Sequence, residues 1–232
     1  MALFFGASSL LMSVHAAQAD DLYLGGNYNI ITGVLTSGTE LTENGQSTVG
    51  GGSINTSYLN GVQLPWVYCV DYDTEVGVPA DYNGTVVSHD GTIHHFGGAG
   101  GPGAGIAVNN AGQVAWLLDK FAAGTVSDTN AQSGLQAAIW ATIYNGTNGV
   151  GTYVLDTTAN NATMIADYNA DLAALGNHTA SVASIDWLSP STTSGGINQG
   201  LVTAVPEPTF YAMAGLLGMG GIGLLRRRKA RA

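Results

Sequence analysis

The chain of 232 residues holds a single cysteine. It lies in Trp66-Val67-Tyr68-Cys69-Val70-Asp71, an alternating segment that places Cys69 and Asp71 on one strand face and Tyr68 and Val70 on the other. One cysteine excludes an internal disulfide framework and every multi-cysteine zinc or iron–sulfur site. It leaves a small buried hydrophobe, a handle for intermolecular disulfide dimers, or a reactive thiol. A second residue stands out in Gln136-Ala137-Ala138-Ile139-Trp140. An amide flanked by small and apolar residues is expensive to bury unless it is fully hydrogen-bonded or chemically altered. Other groupings carry less. His89, His94 and His95 with Asp90 lack metal-ligand spacing and read as a surface cluster, so no metal is expected. Asp71, Asp73 and Glu75 lack the remainder of a calcium loop and read as a solvated acidic edge. No carboxylate spacing singles out a glycosidase pair, and no Gly-x-Ser-x-Gly elbow is present.

The elements that must position Cys69 and Gln136 differ in kind. From Asp20 to about Gln113, β-branched and aromatic runs (Tyr28 to Leu35, Val62 to Tyr72, Thr85 to Ser88) alternate with Gly, Asn and Ser clusters, which predicts short strands with frequent turns. The glycine-rich stretch Gly97 to Gly105 has no Walker lysine and is no phosphate cradle. Three helices are predicted beyond it. The first is capped by Asn109 or Asn110, carries Val114, Leu117, Leu118 and Phe121 at helical spacing, and stops at Gly124. A second runs from about Asn130 to Tyr144, with Gln136, Trp140 and Ile143 sharing a stripe. The third, from about Asn161 to Leu175, sets Ile165, Tyr168, Leu172 and Leu175 on one side. Strand propensity returns at Thr179 to Leu188, and the Ser-, Thr- and Gly-rich run 189–204 reads as a flexible linker. The expected fold is a single α+β domain over 20–188, a β-sandwich-like sheet region with two or three packed helices.

The Tyr-Cys-Val-Asp context, the Val114-Ala115-Trp116-Leu117-Leu118 helix and the Gln-Ala-Ala-Ile-Trp motif together resemble the bacterial thioester domain family, over roughly Val62 to Leu175. One departure is Leu135, where the family often has Thr before the glutamine. The resemblance implies that Cys69 and Gln136 condense into an internal thioester with loss of ammonia. An external amine or hydroxyl would then take the acyl group of Gln136 and free Cys69. Such a bond survives only where water is scarce, and Trp66, Tyr68 and above all Trp140 are candidate shields. Each molecule reacts once, so the protein is not expected to be an enzyme, and no cofactor is implied. Lys120, the one basic residue of 20–205, would be the obvious self-inactivating nucleophile if exposed near the bond.

Charge and the two ends set the compartment. Five of the six basic residues lie in the last seven positions, and the chain carries a formal charge of −10. Such an acidic surface repels phosphate backbones, which excludes nucleic acid as a partner. At the front, an apolar run closing on Ala17-Gln18-Ala19 before Asp20 reads as a secretory signal over 1–19, cleaved after Ala19 by the secretion machinery. At the back, Pro206, Glu207 and Pro208 precede an uncharged apolar run and the basic stop Arg226, Arg227, Arg228 and Lys229. This order over 205–232 resembles the PEP-CTERM sorting signal of Gram-negative bacteria. It implies recognition by an exosortase-type membrane protease and, after transient membrane anchoring, delivery to the cell surface or extracellular matrix. Two functions are therefore expected in competition. One is adhesive, covalent attachment through Cys69 and Gln136 to an amine or hydroxyl on a surface or matrix polymer. The other is a non-covalent structural component of an exopolysaccharide or biofilm matrix, with Cys69 merely buried.

Overall fold

The computed structural model describes residues 20–37, 40–41, 47–72, 74–94, 105–146, 151–191 and 198–205. In chain order the strands are β1 (Asp20–Leu24), β2 (Asn27–Ser37), β3 (Glu40–Leu41), β4 (Ser47–Asn55), β5 (Tyr58–Leu59), β6 (Val62–Gln63), β7 (Val67–Cys69), β8 (Ala80–Ser88), β9 (Thr92–Ile93) and β10 (Ile106–Ala107). Helices α1 (Ala111–Leu117), α2 (Ala123–Thr125) and α3 (Thr129–Ile143) follow, then β11 (Thr152–Leu155), α4 (Ala162–Leu175), β12 (Ile185–Ser189) and β13 (Leu201–Ala204). The fold is mixed α+β, with antiparallel pairing throughout the described ladders. A curled seven-stranded sheet runs in the order β6-β5-β1-β8-β12-β13-β7, and a second sheet holds β11, β2 and β3, with β4 paired to β2.

Alternation explains why these segments are strands. In β1, Leu22 and Leu24 are buried while Asp21 and Tyr23 face solvent; in β8 the buried Tyr82 and Thr85 stand three residues apart, where its ladder with β1 shifts register. β12 departs from alternation, because all five residues of Ile-Asp-Trp-Leu-Ser are buried, as expected of a strand covered on both faces.

The linker expected over 189–204 is corrected at its far end. Leu201–Ala204 is a strand of the seven-stranded sheet, paired to β12 through Leu188↔Leu201 and to β7 through Leu201↔Cys69. Leu201, Val202 and Thr203 are fully buried. Ser, Thr and Gly around this run hid a segment whose β-branched residues needed two neighbouring strands before they could be buried. The domain therefore extends past residue 188.

Helix α3 is the hub of the helical layer. Asp128 caps it, its carboxylate accepting from the N–H groups of Asn130 at 2.9 Å and Ala131 at 3.2 Å. From Gln132 to Trp140 every residue is buried, because α3 packs on β4 and β2 on one side and on α4 and α1 on the other. Gly134 makes the α4 contact close: a Cβ there would meet Tyr168 N at 2.9 Å and Met164 O at 3.0 Å. Gly124 does not stop the first helix. After Leu117 the chain makes a π-helical turn over Leu118–Ala122 and continues through α2, with Gly124 inside it. In α4, which Asn161 caps, Met164, Asp171 and Leu175 are the buried set rather than the expected stripe, with Ile165, Tyr168 and Leu172 at its margin.

Among the described residues no helix is long and apolar enough to cross a membrane. The proposed signal with Ala17 and Ala19, and the tail with Pro206, Glu207, Pro208, Arg226, Arg227, Arg228 and Lys229, lie outside the described residues.

Candidate functional site

Cys69 ends β7, the last strand of the seven-stranded sheet. Val70 N–H donates to Gly200 O at 2.9 Å, and Tyr68 and Val202 stand opposite two residues earlier. Antiparallel ladders alternate, so Cys69 and Leu201 form the pair that does not exchange hydrogen bonds. The N–H and C=O of Cys69 consequently point away from β13 toward the sheet edge. There they need partners, because Cys69 is buried.

Gln136 supplies both. The Cys69 N–H donates to Gln136 Oε1 at 2.8 Å, and Gln136 Nε2 donates to the Cys69 carbonyl at 2.7 Å. The side-chain amide takes the place of a further strand. Its stem is close to a neighbouring backbone because Gly51 of β4 has no side chain: a Cβ there would lie 3.0 Å from Gln136 Cγ and 3.0 Å from Trp140 Cη2. Helix α3 positions the pair, since Gln136 and Trp140 are one turn apart on the side that meets β4.

The thiol has a partner of its own. Cys69 Sγ donates to Gln199 Oε1 at 3.1 Å, and Gln199 Nε2 donates to Asp71 O at 2.5 Å. Gln199 is nearly buried, and its own N–H donates to Glu75 O at 3.1 Å. Burial, and then the nearby Asp71 carboxylate, push the Cys69 thiol well above its ordinary range, so the resting group is protonated. Asp71 is fully buried, which corrects its expected place on a solvated acidic edge. β7 ends before it, and its carboxylate accepts from the hydroxyls of Thr74 and, at 3.4 Å, Tyr144.

Aromatic rings close the surroundings. Tyr72 meets Trp140 edge-on at 5.0 Å between centroids, Tyr153 lies 5.6 Å from Trp140, and Trp66 lies 5.9 Å from Tyr68. Trp140 is fully buried, and its indole N–H has no hydrogen-bond partner among the described residues. Tyr68 shares a 2.7 Å hydrogen bond with Thr125, which fixes it beneath the helical layer.

The structure brings Cys69, Gln136, Trp140 and Asp71 together and leaves His89, His94 and His178 apart from them. His89 pairs with Asp186 at 3.0 Å, and His178 stacks on Trp116. The His94 N–H donates to Ser189, while His95 and Asp73 lie outside the described residues. Among the described residues no group of three or more His, Cys, Asp or Glu could hold a metal ion. Gln199 was missed from the sequence because it lay in the expected linker; the run Leu201-Val202-Thr203 just after it was the available signal.

Chemically, the arrangement presents an amide carbonyl that accepts from the main-chain N–H of the residue that carries a buried, protonated thiol. The Cys69 N–H would stabilise the oxyanion that forms on Gln136 Oε1 when a nucleophile adds to the amide carbon. Comparisons of the chain with known protein families, with curated proteins and with solved structures each return no match.

Proposed function

We propose that this chain is an exported, tail-sorted surface or matrix protein that attaches itself covalently through a Cys69–Gln136 thioester, on a sandwich-like frame of two sheets. The observation that carries the reading is the docking of the Gln136 carboxamide onto both main-chain groups of Cys69. In the forming step the sulfur of Cys69 adds to the amide carbon of Gln136. The carbon–nitrogen bond then breaks, and ammonia leaves with the thiol proton. In the attachment step an amine or hydroxyl on a surface or matrix polymer adds to the same carbon, the carbon–sulfur bond breaks, and the thiol is regenerated. Trp140, with Tyr72 and Tyr153 against it, keeps water from the bond between the two steps. Export by the 1–19 signal and sorting through Pro206, Glu207 and Pro208 by an exosortase-type protease complete the reading.

A second reading has an observation of its own. Both ends of the Gln136 amide are satisfied and the thiol has a partner in Gln199, which suits a permanent structural pin in a non-covalent matrix component. Intact mass separates the two. The covalent reading expects the full chain to be lighter by one ammonia, Cys69→Ala to show no such loss, and methylamine to add at Gln136. A mass equal to the formula, with Cys69 alkylating fully once the protein is denatured, would sink it and leave the structural component.

A further inference from the structure

We infer that Gln199 is the positioning residue for thioester closure, holding the Cys69 thiol so that its sulfur meets the Gln136 carboxamide; this rests on the covalent reading above. Three observations meet at this side chain. Gln199 Oε1 lies 3.1 Å from Cys69 Sγ, its Nε2 is anchored on the Asp71 carbonyl at 2.5 Å, and its backbone is tied to Glu75. An S–H group is a weak donor, so a buried amide gains little stability from accepting it. The same contact does fix a direction. With the proton turned toward Gln199, the sulfur lone pairs are left for the Gln136 carbon, whose own amide is clamped to the Cys69 main chain. Two amides thus divide the work on one cysteine: Gln136 is the electrophile and Gln199 orients the nucleophile.

No group joins the balance beyond those already named. The thiol proton leaves with ammonia, and Gln199 is unchanged at the end. Its polar end keeps one fixed acceptor for S–H in a site where the thiol is strongly protonated. Misplacing a reacting atom by about an ångström costs on the order of a hundredfold in rate. Loss of this one weak contact should therefore slow closure about tenfold or more while leaving the fold in place.

Because closure releases ammonia, the reaction runs backward in concentrated ammonium, which regenerates the Cys69 thiol and the Gln136 amide. Removing the ammonium by rapid buffer exchange starts closure, and intact mass follows it in time. The full chain is compared with Gln199→Leu, which removes the acceptor, and Gln199→Glu, which restores an oxygen at the same place. The expected result is slow closure in Gln199→Leu. In Gln199→Glu closure recovers where the carboxyl is protonated and can still donate to the Asp71 carbonyl, and falls as it ionises, a new pH dependence of the rate that a merely structural side chain would not confer in a protein that stays folded throughout. Closure of a folded Gln199→Leu at the parental rate overturns this inference and leaves the thioester intact. If Gln199→Leu does not fold, Gln199→Glu decides alone: closure with the parental pH profile overturns the inference. A full chain that never loses ammonia overturns both.

Discussion

The Gln136 carboxamide and the Cys69 main chain meet through two hydrogen bonds in a buried place, and that arrangement has a measurable weight whatever chemistry follows. In a Cys69→Ala background no thioester contributes, so the docking can be tested alone. Gln136→Met keeps the length and removes both polar ends, leaving a buried N–H and a buried C=O without partners. Roughly 2–4 kcal/mol of stability should be lost. Denaturant unfolding of the two proteins reads it, and a loss under about 0.5 kcal/mol would mean the edge of β7 is satisfied by water instead. Sequence made this residue visible, since an amide amid Ala, Ile and Trp calls for a partner. It could not say that the partner would be the main chain of Cys69, because that depends on which way the edge of β7 faces.

At the scale of the element, α3 and α4 owe their closeness to Gly134, and α4 brings a carboxyl into the helical layer. Asp171 is pushed up to about 6, first by burial and then by the neighbouring Asp167 charge. A raised carboxyl favours the protonated form in the folded state. Its contribution therefore costs nothing below the ordinary carboxylate range. Stability is lost as pH rises from there to about 6, and the full cost persists above. Asp171→Asn should thus stabilise the protein at pH 7.5 by roughly 1 kcal/mol, a figure reduced for the water that still reaches this helix. The gain should shrink as pH falls toward 4. Thermal unfolding across that range checks it, and a gain independent of pH would assign the effect to packing. The periodicity of α4 was legible in the sequence; the burial of Asp171 was not, because polarity argued for the solvent face.

At the scale of the molecule, β13 connects the end of the domain to Cys69. It lies between β12 and β7, and Gln199 stands two residues before it. A chain ending at Pro190 loses that strand and the partners of Tyr68 and Val70, so it should not unfold cooperatively, whereas one ending at Ala204 should. Circular dichroism on heating distinguishes them, and a sharp transition in the shorter chain would show that residues 198–204 are dispensable. The amino-acid sequence by itself determined the local features: three helices near their observed bounds, the short strands, the acidic charge, and the candidacy of Cys69, Gln136 and Trp140. Periodicity and composition act over a few residues, and these features are of that range. Tertiary structure alone decided what lay far apart in the chain. It made a strand of the expected linker, buried Asp71, and placed Gln199 on a thiol 130 residues away. Pairing across such distances is settled by which buried polar groups find partners, and no local pattern encodes that.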